Sequence, residues 1–164
     1  MSTWFLILGQ FSIIAFALVG GVFLAFSDFI MRSLATAQSP SGIEVMQAIN
    51  REVFKWVFMT LFMGMAALSV VVIGYTYVNL TGPAAVLIML AGGLYLVGVF
   101  GVTVVFNVPL NNLLEGMDFR SEAASDFWKT RYLPGWTFWN SVRSFASILA
   151  SSLLLFAMVW LVQR

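Results

Sequence analysis

The fold class can be inferred from one stretch that contains no charged side chain, residues Trp4–Phe26 (WFLILGQFSIIAFALVGGVFLAF). A helix needs about 20 apolar residues to cross the hydrocarbon core of a bilayer. A transmembrane strand needs only about 10, and its apolar and polar residues alternate, which is not the case here. The basic residues that begin a signal peptide do not precede this stretch. We therefore predict a retained transmembrane helix.

Three further apolar runs follow along the chain, at Val53–Val78, Ala84–Val108 and Phe145–Val162. Of the 164 residues, 61% are hydrophobic and only 9% are charged, whereas about 25% of a typical soluble domain is charged. A soluble protein of this size has too little interior to bury so many apolar side chains. The sequence therefore predicts an all-α integral membrane four-helix bundle that forms a single domain, residues 1–164.

Turn-forming residues separate the runs. Ser39–Gly42 is predicted to end the first helix, and Glu44–Glu52 to extend the second helix along the membrane interface. The turn Asn79–Pro83 is so short that helices two and three must be antiparallel neighbours. The third connection, roughly residues 107–135, is the longest hydrophilic segment. Within it Pro109 cannot donate a backbone hydrogen bond, which favours a kink or a helix end.

Basic residues are distributed unevenly over these connections. Only Arg164, of the eight Lys and Arg residues, falls on the side of the termini and the second connection. By the positive-inside rule, the two charged connections are predicted to be cytoplasmic and both termini outside, in the cell (inner) membrane. The ionisable groups therefore gather at one face. The basic residues on that face are Arg32, Arg51, Lys55, Arg120, Lys129, Arg131 and Arg143.

The chain contains neither Cys nor His. This excludes disulfide bonds, Cys/His zinc sites, iron–sulfur clusters, haem ligated by His or Cys, and catalysis by either side chain. Carboxylates and amides could still hold a hard cation, but we expect no metal and no cofactor. The expected partners are the lipid bilayer and a lipophilic small molecule. Nucleic-acid binding is not expected, and a homo-oligomer is compatible with the pattern.

Polar and aromatic residues at helical spacing form a stripe on one face of the fourth helix, which enters the bilayer from the charged side. They are Trp136, Asn140, Arg143 and Ser147. An arginine within the membrane is costly, about 2.5–3.5 kcal/mol at mid-bilayer on insertion scales. Pairing Arg143 with Asp28 of the first helix would offset this cost, and we predict that pair. Asp28 also lies four residues before Arg32, so these two side chains share a helical face.

We predict that these polar groups converge on a pocket at the cytoplasmic end of the bundle. Amides supply donors and acceptors without a fixed charge, which suits a neutral, amphipathic ligand with phenol or carbonyl groups. The alternative is a structural polar cap, in which the same groups join helix ends and reach toward lipid headgroups. The predicted lining residues are Asp28, Asn50, Asn107, Asn111, Trp136, Asn140 and Arg143.

The tryptophans and glycines are predicted to have structural roles. Tryptophans near the ends of the runs are predicted to anchor the helices at the membrane interface; they are Trp4, Trp56, Trp128 and Trp160. Glycines within the third run are predicted to allow close helix packing; they are Gly92, Gly93, Gly98 and Gly101.

Four stretches resemble the anthrone oxygenase family, a group of small four-helix membrane proteins. The most specific are Val102–Asn112 (VTVVFNVPLNN) and Trp136–Arg143 (WTFWNSVR). The other two are Gly20–Ser27 and Met46–Arg51, and all four occur in the family's order. The resemblance spans nearly the whole chain.

The resemblance implies a chemistry, because some fungal members oxidise a polyketide anthrone to an anthraquinone with molecular oxygen and no obvious prosthetic group. The residues that match family positions are Asn50, Asn107, Asn111, Asn140 and Arg143. In this hypothesis Asp28 is the base, and Asn107, Asn140 and Arg143 hold the substrate oxyanion. Catalysis is assigned to Asp28, Asn140 and Arg143, and substrate binding to Asn50, Asn107, Asn111 and Trp136.

The chain departs from the family at Ser141, directly after Asn140, where many members carry histidine. A route that uses a histidine as proton acceptor is therefore closed to it. The alternative function is a non-catalytic membrane module that binds a lipid or quinone-like ligand, or a subunit of a larger membrane assembly. A transporter or channel is disfavoured because the outer halves of the runs carry almost no polar residues.

Overall fold

The computed structural model describes residues 3–55 and 57–163, and within them the chain is helical, with no strand. Four long helices are apolar enough to cross a membrane: α1 (Thr3–Thr36), α3 (Val57–Asn79), α4 (Pro83–Glu115) and α5 (Glu122–Val162). A shorter helix, α2 (Ser39–Glu52), joins α1 to α3. The predicted all-α four-helix membrane bundle is confirmed.

Helix α5 is the centre of the bundle and packs along both α1 and α4, while α3 packs mainly on α4. Small residues set the closest approaches, because a side chain at Gly20 of α1 would meet Ser147, and one at Gly98 of α4 would meet Ala146. Gly92 also has no room for a side chain, whereas Gly93 faces open space. Close packing is therefore confirmed for Gly92 and Gly98 but not for Gly93.

The turn between α3 and α4 is as tight as predicted, and these two helices are neighbours. Gly82 adopts a φ of 85°, a left-handed conformation that side chains disfavour. Pro83 follows at the first position of α4, where its missing N–H costs nothing. The dipeptide therefore reverses the chain within a few residues.

Helix α2 lies at the charged end of the bundle and is held there by its polar face. The Nε2 atom of Gln47 donates to the carbonyl oxygens of Leu114 (2.8 Å) and Met117 (2.9 Å), which lie at and just beyond the end of α4. Carbonyls at a helix C-terminus lack the usual partner four residues further on, and side chains often bind them; the Leu114 carbonyl also accepts from the backbone N–H of Met117 at 3.2 Å. The apolar face of α2 adds Ile43 and Met46 to a core separate from that of the membrane-spanning part.

Two predicted boundaries are wrong. Ser39 and Pro40 begin α2, because proline is accommodated in a first helical turn, and α2 is a helix of its own rather than an extension of α3. The third connection is much shorter than predicted, since α4 continues through Pro109 to Glu115 and α5 begins at Glu122.

Pro109 is tolerated because α4 widens into a π-helical segment, Thr103–Asn107, immediately before it. Other π-helical segments are Phe26–Ile30 in α1, Tyr95–Gly101 in α4 and Trp128–Tyr132 in α5. Such bulges change which carbonyls accept backbone hydrogen bonds and often mark functional sites. Three of the four lie toward the charged end of the bundle, and Tyr95–Gly101 lies in the middle of α4.

The predicted tryptophan anchors have different outcomes. Trp4 and Trp160 lie on the exposed surface of the helices. The prediction for Trp128 is wrong, because this side chain is buried in the core of the charged end and stacks on Tyr132 at 5.2 Å. Trp56 and Arg164, which entered the topology and anchor predictions, lie outside the described residues.

Candidate functional site

The side chain of Arg143 is buried inside the bundle with only 5% of its surface exposed. Its guanidinium carbon lies 4.2 Å from the ring centre of Phe23 and 5.3 Å from that of Trp136. Nη2 donates to Oδ1 of Asn140 at 2.7 Å, and Nη1 to Oγ1 of Thr103 at 3.1 Å. Nε is buried, and no described residue forms a hydrogen bond with it. The cation is thus held by neutral groups and aromatic rings.

The predicted ion pair between Asp28 and Arg143 is wrong. Asp28 instead binds Arg32, with 2.8 Å between its Oδ1 and Nη2, and both side chains are exposed. This pair needs no desolvation, whereas moving Asp28 into the bundle would cost several kcal/mol of hydration. Between described residues, the remaining ion pairs join Arg51 to Glu115 and Lys55 to Glu52. None of them neutralises Arg143.

Asn140 is completely buried and positions Arg143. Its Nδ2 donates to the carbonyl oxygen of Phe23 at 2.6 Å and to Oγ of Ser27 at 2.7 Å. Phe23 lies just before the π-helical segment of α1, where the backbone hydrogen-bond pattern changes. Because an amide has two N–H groups and both are used, Asn140 has no donor left for a substrate oxyanion.

A cavity of about 560 Å³ opens beside Arg143 at the charged half of the bundle. Its wall is mainly aromatic and thioether, with rings from α1, α3, α4 and α5. The polar residues that line it are Asn50, Glu52, Thr103, Asn111 and Arg143. The apolar residues include Phe23, Phe26, Phe58, Phe62, Phe100, Trp136, Met46, Met59 and Met63.

Four of the seven predicted site residues line this cavity: Asn50, Asn111, Trp136 and Arg143. Asn107 and Asn140 are buried behind its wall, and Asp28 lies outside it on the surface. Thr103 and Glu52 line the cavity but were not predicted. Thr103 is one turn before Asn107, so helical spacing along α4 was the signal that could have found it.

Asn107 ties α4 to α5. Its Nδ2 donates to the carbonyl oxygen of Trp136 at 3.1 Å, while its buried Oδ1 has no partner. Asn107 is buried and is not among the residues that line the cavity, so it is a poor candidate for the predicted oxyanion contact. Its position instead fixes Trp136, whose ring forms part of the cavity wall.

Asn50 and Asn111 meet at Tyr132, a fully buried phenol of α5. The Tyr132 hydroxyl donates to Oδ1 of Asn111 at 2.8 Å, and Nδ2 of Asn50 lies 3.5 Å from the same hydroxyl. The Tyr132 ring also stacks between Trp128 and Trp136, at centroid distances of 5.2 and 6.2 Å. The phenol therefore joins α2, α4 and α5 behind the cavity.

Ser141 is exposed and does not line the cavity. Its hydroxyl lies 2.9 Å from both Oγ of Ser27 and the carbonyl oxygen of Thr137. Across the described parts of the chain, no group of three or more acidic side chains is placed to hold a metal ion. Among the described residues, the polar side chains that line the cavity include two amides, one hydroxyl, one carboxylate and the guanidinium of Arg143.

Comparison with known proteins supports the resemblance noted from the sequence. Residues 51–153, more than half of the chain, match the profile of the anthrone oxygenase family. The matched region contains both specific stretches, Val102–Asn112 and Trp136–Arg143, and with them Thr103, Asn140 and Arg143. No curated protein and no solved structure matches the chain significantly. The chain belongs to the anthrone oxygenase family.

Proposed function

We propose that this protein is a membrane-embedded oxygenase that converts a lipophilic phenolic or anthrone-type substrate to a quinone with molecular oxygen and without a prosthetic group. The observation that carries the proposal is Arg143, a buried cation with no carboxylate partner among the described residues, on the wall of an aromatic cavity. A site of this kind is complementary to a flat aromatic ligand with an anionic oxygen.

The cavity has the size and surface expected for such a ligand. Its volume of about 560 Å³ lies within the range of about 300–1,000 Å³ that small-molecule sites occupy. Phenylalanine and tryptophan rings from four helices favour stacking with a polycyclic aromatic system. Methionine side chains adapt to its outline.

The reaction begins with loss of a proton from the methylene carbon opposite the anthrone carbonyl, which gives an electron-rich enolate. The enolate transfers an electron to oxygen, and the resulting pair combines to a carbon-bound peroxide that takes up a proton. Loss of the second methylene proton breaks the O–O bond, leaves a carbonyl on that carbon and releases water. One oxygen atom enters the quinone and the other leaves in water, so oxygen is the only oxidant required.

Arg143 stabilises the enolate in this scheme. Negative charge develops on the substrate oxygen when the methylene proton leaves, and a preorganised cation in a water-poor cavity interacts with it more strongly than water does. Removal of a single oxyanion donor lowers the rate by about 10²–10³ in well-studied enzymes. Asn140 and Thr103 hold the guanidinium in place, so it does not have to reorient when the transition state forms.

Lipophilic substrates reach the cavity from the bilayer in this proposal. Met63 of α3 and Val104 of α4 line the cavity and are about half exposed on the outer surface. Helix α3 makes few backbone contacts with Thr103–Asn107. It packs more closely on the part of α4 from Pro83 to Gly101. We place the cavity in the cytoplasmic half of the inner membrane, with both termini outside, on the basis of the Lys and Arg distribution.

Oxygen uptake by the purified protein tests the proposal. Protein in lipid nanodiscs is mixed with an anthrone, and oxygen consumption and anthraquinone formation are compared with empty nanodiscs, which report spontaneous oxidation. We expect uptake above this background, and a loss of about 10²-fold or more in Arg143→Met. Arg51→Met is the matched control, because Arg51 is an exposed arginine paired with Glu115 outside the cavity.

Two other outcomes would contradict the proposal. Anthrone that binds without oxygen uptake would identify the protein as a non-catalytic binding module. Equal activity in wild-type protein and Arg143→Met would remove Arg143 from the mechanism.

A further inference from the structure

The oxygenation requires a group that accepts the methylene proton. Asp28 is not among the residues that line the cavity, so it is not placed to accept this proton. Its carboxylate lies on the outer surface against Arg32. Among the described residues that line the cavity, Glu52 is the only one with a carboxylate. No histidine, cysteine or lysine lines that cavity to serve in its place.

Glu52 is the last residue of α2 and lies where the chain turns toward α3. Asn50, Val53 and Phe54 from the same segment also line the cavity, so this turn forms its wall at the charged end. The backbone N–H of Lys55 donates to the Glu52 carbonyl at 3.0 Å, which fixes the turn. The carboxylate therefore sits on a defined backbone rather than on a free loop.

Lys55 also contacts the Glu52 side chain. Its Nζ lies 2.5 Å from Oε1 of Glu52, and both side chains are more than half exposed. Exposure keeps the carboxylate in contact with water.

We propose that Glu52 is the proton acceptor for the substrate's methylene group, an inference that rests on the proposed oxygenase function. The C–H bond breaks, its proton forms an O–H bond with the Glu52 carboxylate, and its electron pair remains on the substrate as the enolate that Arg143 stabilises. The neutral acid then protonates the peroxide formed after oxygen addition and becomes a carboxylate again. The negative charge thus moves from the Glu52 carboxylate to the substrate enolate, beside Arg143.

Other groups near the cavity are less suited to this step. The Tyr132 hydroxyl is buried and already donates to Asn111, so it acts as a donor rather than a base. Glu115 is bound to Arg51 and does not line the cavity. Glu44 is exposed on α2 outside the cavity, which makes it a suitable control.

Hydrogen–deuterium exchange at the substrate separates this proposal from oxygenation. Anthrone is incubated with the protein in D₂O under argon, and loss of the methylene proton signal is followed by NMR. We expect wild-type protein and Glu44→Gln to accelerate exchange over empty nanodiscs. In Glu52→Gln the acceleration should fall by about 10²–10⁴-fold, the usual contribution of a general base. Binding of a hydroxyanthraquinone verifies that the variant is folded.

The outcomes distinguish the two proposals. If Glu52→Gln exchanges as fast as wild-type protein, Glu52 is not the acceptor, while the oxygenase function stands. If wild-type protein neither exchanges the proton nor consumes oxygen, both proposals fail. Should Glu52→Gln not fold, Glu52→Asp takes its place, because withdrawing the carboxylate by one methylene must slow exchange by about tenfold or more. Unchanged exchange in Glu52→Asp would then overturn the assignment.

Discussion

Oδ1 of Asn140 accepts a hydrogen bond of 2.7 Å from Nη2 of Arg143, one turn further along α5. The amide nitrogen of the same Asn140 reaches across to the backbone of α1, where it binds the carbonyl oxygen of Phe23. A single buried amide therefore connects the packing of two helices with the orientation of the cation in the cavity. We therefore expect stability and ligand binding to be coupled at this residue.

Replacement of Asn140 by alanine should affect both properties. The carbonyl of Phe23 and the guanidinium of Arg143 lose buried partners, and each unsatisfied group costs about 1–3 kcal/mol. We expect a lower thermal unfolding temperature and an affinity for a hydroxyanthraquinone that is weaker by about tenfold or more, which corresponds to about 1.4 kcal/mol. Differential scanning fluorimetry and equilibrium binding measure the two effects. A loss of stability with unchanged affinity would favour the structural polar cap.

Replacement of Tyr132 by phenylalanine should act mainly on stability. The ring and its stacking between Trp128 and Trp136 remain, while Oδ1 of Asn111 loses its hydrogen bond. We expect the free energy of unfolding to fall by about 1 kcal/mol. The affinity for the hydroxyanthraquinone should change far less than in Arg143→Met. An equal loss of affinity in both variants would show that the phenol contacts the ligand.

The approach of α4 to α5 can be tested with a pair of glycine substitutions. A Cβ atom at Gly98 would lie 2.7 Å from Cβ of Ala146, whereas one at Gly93 would meet nothing within 4 Å. We expect Gly98→Ala to destabilise the protein by about 1–3 kcal/mol through overpacking. Gly93→Ala should be neutral or stabilising, since alanine favours a helix by about 0.5–1 kcal/mol. Comparable unfolding temperatures for both variants would contradict this packing.

The membrane orientation can be tested by cysteine labelling, because the chain has no native cysteine. Thr81→Cys places a thiol in the turn between α3 and α4, and Glu122→Cys places one at the start of α5. We expect a membrane-impermeant maleimide to label Thr81→Cys in intact cells, and Glu122→Cys only after permeabilisation. The reverse pattern would place the charged end outside the cell and invalidate the positive-inside assignment.

The membrane-spanning helices could be predicted because hydropathy alone determines where apolar runs must become helical. The stripe of Trp136, Asn140 and Arg143 could also be predicted, since helical spacing brings these residues to one buried face. Helix ends were less predictable. Pro109 is consistent both with a helix end and with a π-helical segment that lets the helix continue, and only packing at the charged end decides between them.

The ion-pair partners of the charged groups could not be predicted from the free-energy cost of an unpaired charge in the membrane alone. Asp28 has a choice between Arg143 across the bundle and Arg32 on its own helix, and the exposed local pair avoids desolvation. Glu52 was overlooked because α2 was expected to continue into α3, which gave no reason to place its last residue at a cavity. The separate course of α2 brings Glu52 to the cavity wall.

We propose that the cavity beside Arg143 binds a phenolic polycycle for oxidation, and a structure with a bound hydroxyanthraquinone tests this binding. The protein in nanodiscs is saturated with this stable product-like ligand, and the position of the ligand is determined. We expect the ligand to lie among Phe23, Phe62 and Trp136, with one oxygen within hydrogen-bond distance of the Arg143 guanidinium. A cavity filled by a lipid acyl chain, with the hydroxyanthraquinone on the outer surface or absent, would rule out binding at this site.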